Sequence, residues 1–168
     1  LLAETPEPNL SLFMKRLLGV YTIRFNRKYK RHGHLFQGRY KALLVDQDAY
    51  LVPLSRYIHL NPFKAKLSQD VHYPHSSLRF FLKDKAPAYL NTKLLLGLFS
   101  SKQKFLAFIK EGLESKDSLP RPSGGVILGG EEFIRSLKEK ISGKSMDNVA
   151  FKNSFVRCDP SLLAPRIQ

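Results

Sequence analysis

Residues 25–67 read FNRKYKRHGHLFQGRYKALLVDQDAYLVPLSRYIHLNPFKAKL. Three patterns follow one another there: the end of a basic amphipathic helix, a strand, and a second helix. Upstream, Leu10, Met14, Leu17, Leu18, Tyr21 and Phe25 recur at three- and four-residue intervals. That spacing predicts a helix capped by Asn9 or Ser11, running to about Lys30 and stopping at Gly33. Residues 35–45 (LFQGRYKALLV) predict a strand. Asp46 and Asp48 then signal a helix from about Asp48 to Leu60. Pro53 lies inside it, removes one backbone hydrogen bond and should bend it, and Asn61-Pro62 should end it.

Working outward, residues 1–9 read as a loop and 71–83 as a turn followed by a short helix. Helical patterns cover about 91–99, 101–114 and 131–141. Residues 115–130 are rich in Ser, Pro and Gly and read as a linker, and 142–168 have weak periodicity and read as a loose tail. Three parts are expected: 1–85, a helical extension 86–141, and the tail 142–168.

The 168 residues carry 28 Lys and Arg against 14 Asp and Glu, a net charge of +14. A field of that sign favours polyanions. From Lys15 to Lys41 there are nine basic residues and no acid. No apolar run approaches the roughly 20 residues that span a bilayer, so a membrane partner is not expected. The single cysteine, Cys158, excludes an internal disulfide and zinc sites built on cysteine pairs, and a reducing cytoplasm fits.

Arg24, Arg27, Lys28, Lys30, Arg31, Arg39 and Lys41 alternate with Tyr21, Phe25, Tyr29, Phe36 and Tyr40. Cations neutralise phosphates, and exposed rings stack on unpaired bases. Tyr21 and Phe25 lie on the apolar stripe and are expected in the core, while the basic face is expected on nucleic acid. His32-Gly33-His34 would share a metal only on a strand; straddling a helix stop, the pair reads as turn residues. Arg135, Lys138 and Lys140 read as a solvated helix surface, with a secondary DNA contact as the alternative. On a helix Tyr57 and Asn61 share a face. A tyrosine hydroxyl, with an ordinary pKa of about 10, attacks a phosphate only when that phosphate's charge is drained. An Asn oxygen is an acceptable Mg²⁺ or Mn²⁺ ligand. From spacing alone, a half-buried tyrosine on an amphipathic helix is the simpler reading.

The 25–67 run, with YPHSSLRFFL (73–82) and SGGVILGGEEFIRSLKEKI (123–141), resembles the REP-associated tyrosine transposases of the single-tyrosine HUH superfamily. The resemblance implies an α+β fold: a ferredoxin-like antiparallel sheet with flanking helices, incomplete here, then a helical C-terminal extension. It implies cleavage and rejoining of single-stranded or hairpin DNA through a 5′-phosphotyrosine link. Tyr57 falls at the nucleophile and Asn61 at a residue completing a Mg²⁺ or Mn²⁺ site. Arg39 and Lys41 would lie near the DNA backbone. In the family a His-hydrophobic-His pair precedes a Leu-Leu, and this sequence starts at that Leu-Leu, Leu1-Leu2. The expectation is therefore a chain that binds DNA and cuts poorly or not at all. The alternatives are a non-catalytic hairpin-DNA-binding remnant and, more distantly, a basic RNA-binding protein.

Overall fold

A computed structural model describes residues 1–115, 127–141 and 154–158. They form a mixed helix and strand fold, α+β as expected. Two compact units are present. One comprises Leu1–Ala49 and the described residues after 121; the other runs from Tyr50 through the described residues to 115. No described helix is long and apolar enough to cross a membrane.

In the first unit, β1 (Leu2–Glu4), β2 (Ala42–Asp46), β3 (Ile127–Leu128) and β4 (Ser154–Cys158) form one sheet in the order β1-β4-β2-β3. β4 is antiparallel to both neighbours, pairing Ala3 with Val156 on one side and Leu44 with Val156 on the other. β3 is parallel to β2, with Leu44 opposite Ile127. Successive strand residues point to opposite faces, and both Leu44 and Val45 are buried, so both faces of β2 are covered.

Helix α1 (Leu10–Tyr29) follows the predicted span closely. It stops at Lys30, which is left-handed at φ 50°, and the Arg31 amide donates to the Asn26 carbonyl at 2.9 Å. Gly33 (φ 90°) shapes the turn that follows. Helix α6 (Glu131–Ile141) has the predicted limits.

Several expectations are corrected here; the loop predicted over 1–9 contains β1, which pairs with β4 far along the chain. The strand predicted over 35–45 is confined to 42–46. Gln37-Gly38-Arg39 interrupts the apolar pattern, and only Ala42–Val45 is continuously apolar. The linker predicted over 115–130 contains β3, because Ile127 and Leu128 find a buried strand to pair with; residues 116–126 lie outside the described residues. The tail predicted over 142–168 contains β4, whose partners lie far away in sequence and leave no periodic trace in it. Residues 142–153 and 159–168 lie outside the described residues.

The second unit is helical. Helix α2 spans Gln47–Lys64, with all but its opening residues in this unit. It is followed by α3 (Leu78–Leu82), α4 (Lys93–Leu96) and α5 (Lys102–Glu111). α2 runs through Pro53 and past Pro62, so Asn61-Pro62 does not end it. An interior proline costs about 3 kcal/mol, but burying Leu51, Leu54 and Leu60 returns roughly 1.5–3 kcal/mol each. The end comes four residues later. Lys66 is left-handed at φ 58°, its amide donates to Phe63 O, and the Leu67 amide donates to Pro62 O, both at 2.9 Å. This is a Schellman closure, which satisfies the carbonyls that the helix end leaves open.

The core of this unit is Leu54, Leu60, Val71, Leu78, Phe81, Phe105 and Ile109, each at most 5% exposed. Ser101 caps α5 by accepting from the Lys104 amide at 3.1 Å. Lys102 Nζ ties α5 back to Asp84 Oδ1 at 2.8 Å and to the Lys83 carbonyl at 2.9 Å.

α5 approaches α2 closely at Gly112. A Cβ there would stand 2.6 Å from Leu60 Cδ1 and 2.7 Å from Arg56 Cδ. The Leu60 methyl is buried and cannot swing into solvent. Gly→Ala ordinarily stabilises by about 0.4–1 kcal/mol through the unfolded chain. Overpacking here costs about 1–3 kcal/mol and wins. Gly112→Ala is therefore expected to lower stability by about 1–2 kcal/mol; a urea midpoint equal to or above that of the parent chain would contradict the close approach.

Candidate nucleic-acid face and the Tyr57 helix

Arg24, Arg27, Lys28, Lys30 and Arg31 are all exposed, on the last turns of α1 and the residues just beyond. The chain then returns along the helix. Asn26 Nδ2 donates to the Gly33 carbonyl at 2.9 Å, and the Tyr40 and Ser11 hydroxyls are 2.9 Å apart. Tyr40 is thus held near the start of α1, and the exposed Arg39 and Lys41 flank it. Ser11 and Arg27 are about 24 Å apart along the helix axis at 1.5 Å per residue. The cations therefore extend along α1 instead of gathering at one point. Arg39 and Lys41 sit in irregular chain just before β2, not within the predicted strand.

The placement of Tyr21 also differs from the expectation. It is 47% exposed, not core, and Tyr29 is 53% exposed. Phe25 and Phe36 are half-buried. Ring centroids are 6.0 Å apart for Tyr21–Phe25, 4.5 Å for Phe25–Tyr29 and 6.1 Å for Tyr21–Phe36. Lys28 Nζ lies 5.0 Å from the Tyr29 ring centroid. The cause is the width of the apolar stripe. Met14 is the buried residue of α1, while Leu12, Phe13, Leu17 and Val20 line an open groove of about 750 Å³ beside β1.

Tyr57 and Asn61 both lie in α2, one turn apart and half-buried, as the spacing required. They belong to the second unit, and the seven cations belong to the first. Lys64 Nζ is 5.6 Å from the Tyr57 ring centroid. The sequence reading missed Lys64, yet a residue seven positions later returns to within about 20° of the same helix face. Arg56, beside Tyr57 in sequence, is engaged elsewhere: its guanidinium stacks 3.6 Å from the Phe108 ring centroid and pairs with Glu111 at 3.5 Å.

His32 and His34 are exposed on either side of Gly33, in the turn expected of them. Among the described residues no group of three or more His, Cys, Asp or Glu could hold a metal ion. Mg²⁺ takes about six oxygen or nitrogen ligands in near-octahedral geometry. Asn61 offers one neutral oxygen, so the described residues do not by themselves fit a divalent ion at Tyr57. In the C-terminal helix α6, Arg135 is exposed and lies 4.0 Å from Glu132. The side chains of Lys138 and Lys140 lie outside the described residues.

His59 fixes the inner side of α2. It is 4% exposed, its Nε2 is 3.2 Å from the Ser77 hydroxyl, and its ring stands edge-on to Phe81 and Phe105. Burial pushes its pKa down to about 4; the Ser55 backbone one turn earlier opposes this weakly, since Nδ1 forms no well-aligned hydrogen bond. No protein-family model, curated protein or solved structure matches the chain.

The buried imidazole carries a pH dependence. Above about pH 6.5 it is neutral in both folded and unfolded chains, and stability is full. Between about 6.5 and 4 the unfolded chain takes up the proton and the folded one does not, so stability falls. The loss is on the order of 3 kcal/mol by pH 4. His59→Gln is expected to flatten urea-melt stability across this window relative to the parent chain; an unchanged slope would assign the pH dependence elsewhere.

Proposed function

We propose that this is a DNA-binding protein of the single-tyrosine transposase kind, with Tyr57 in the position of the nucleophile. The observation that carries the reading is the exposed, acid-free series of cations along α1 and the returning segment. Nine like charges with no acid among them in sequence repel one another, and phosphates relieve that repulsion. A ferredoxin-like sheet is the finer fold that belongs with this reading. The antiparallel placement of β4 between β1 and β2 is compatible with it.

In this reading the Tyr57 hydroxyl attacks a backbone phosphate. A phosphotyrosine bond forms to the 5′ side, the P–O3′ bond breaks, and the leaving oxygen takes a proton to become a 3′-hydroxyl. Lys64, beside the ring, supplies positive charge on the same helix face. Mg²⁺ or Mn²⁺ belongs to the family reading as the ion that polarises the phosphate. Because the described residues give it only Asn61, no step is routed through it. The 168-residue chain is accordingly proposed to bind DNA and not to cut it.

The test is a single-stranded hairpin DNA incubated with the chain and Mn²⁺, alongside Tyr57→Phe. Salt-dependent binding without a covalent adduct is expected from both. If all seven candidate cations meet phosphates, log affinity falls against log salt with a slope of about −5, or about a thousandfold between 50 and 200 mM. Binding indifferent to salt would remove the phosphate-contact reading. An adduct formed by the parent chain and abolished in Tyr57→Phe would show a complete nuclease.

A further inference from the structure

We infer that Tyr21 and Tyr29 of α1 stack on unpaired bases, which makes this helix a site for single-stranded nucleic acid. The inference rests on the cationic face proposed above and adds to it a contact that reads bases instead of phosphates.

The two tyrosines are eight residues apart on one helix, about 12 Å along its axis. Both are about half exposed, and Phe25 stands between them, 6.0 Å from one ring and 4.5 Å from the other. Phe36 supports Tyr21 from the returning segment at 6.1 Å. The phenylalanines are half-buried and hold the ladder; the tyrosines present its outer surface. A nucleic-acid strand carries one phosphate per roughly 3.4 Å in stacked geometry, so the ladder spans about three to four nucleotides.

Charge complementarity names the occupant. Arg24 shares the groove of Tyr21 and Lys28 lies over Tyr29; Arg27 and Arg31 are exposed nearby in sequence, and the acid lining that groove is Glu4, with none in the run from Lys15 to Lys41. Lys28 Nζ lies over the Tyr29 ring, 5.0 Å from its centroid, so an incoming base displaces that ammonium from the ring face and leaves it free to meet a phosphate. Rings interleaved with cations are the composition of sequence-tolerant single-strand sites, where each base offers a π-face. A duplex keeps its bases paired and offers the same helix only phosphates.

The experiment measures fluorescence anisotropy of labelled 20-nucleotide oligo-dT, oligo-rU and a 20-base-pair duplex at 150 mM salt with the full chain. The variants are Tyr21→Leu/Tyr29→Leu, Tyr21→Phe/Tyr29→Phe, and Arg24→Gln/Arg27→Gln as a charge control. Oligo-dT or oligo-rU is expected to bind more tightly than duplex. The leucine pair should lose roughly 30-fold or more on the single strands while leaving duplex affinity in place, and the phenylalanine pair should retain binding. The arginine variant should weaken all three ligands and flatten their salt dependence. Leucine variants that hold single strands within twofold of the parent would overturn the stacking inference and leave the cationic face standing. Failure of the parent chain to bind any of the three would overturn the nucleic-acid reading beneath it. Binding only to an acidic polypeptide such as polyglutamate would assign the surface to a protein partner instead.

Discussion

The burial of one side of α2 sets the direction of everything else that helix carries. Leu51, Leu54, Ser55 and His59 fall in one arc at 100° per residue and are nearly inaccessible, and Leu60, opposite Leu51, is covered as well. Phe81 and Phe105 meet His59 from α3 and α5, and the Ser77 hydroxyl holds its ring nitrogen. With that arc fixed, Tyr57 and Lys64 emerge together on another side of the helix. Locking the helix in rotation fixes the direction of Tyr57, because a turn of one residue would move it through about 100°. Gly112 contributes to the same lock: it lets α5 come close enough for Arg56 to lie over Phe108 and pair with Glu111. A positive charge beside Tyr57 in sequence is thereby given to packing, and Lys64 is left as the cation next to the ring.

The first unit is organised by pairing over long sequence separation. β4 lies between β1 and β2, so the sheet joins residues near 3, 44 and 156. Closing chain segments of that length costs entropy before any ladder bond forms. Burial of Leu44, Val45 and Leu128 is the gain that offsets it, at roughly 1.5–3 kcal/mol for each side chain. Met14 adds to this core, while most of the apolar face of α1 does not.

What the sequence made legible was local. α1, α2 and α6 follow from three- and four-residue spacing, and the Tyr57–Asn61 relation follows from helical geometry alone. Non-local partners decide the rest. Ile127-Leu128 reads as two apolar residues in a glycine-bounded linker until β2 supplies a strand beside it. SFVRC at 154–158 reads as tail until two strands accept it. The end of α2 was misplaced for a local reason: a proline forbids one hydrogen bond, but the left-handed residue that closes the helix is Lys66, which carries no glycine signal. At the candidate site, composition revealed the cations. It did not reveal which apolar positions on α1 have a surface to pack on, and Tyr21 was assigned to the core on spacing that only a covering element could have realised.

The exposure of Tyr21 bears on function. Arg24 and Lys28 are four residues apart on α1, as are Arg27 and Arg31 across the helix end, and like charges at this spacing destabilise an isolated helix by about 0.2–0.5 kcal/mol per pair. No acid within the run relieves them. Leaving Tyr21 and Tyr29 half exposed forgoes further burial energy. A sequence optimised for stability alone would place Glu among those cations and polar residues at the two ring positions. Departures from local consistency of this kind concentrate at functional sites. In the single-strand reading proposed above, phosphates would take the place of the missing acids and unpaired bases would cover the exposed rings.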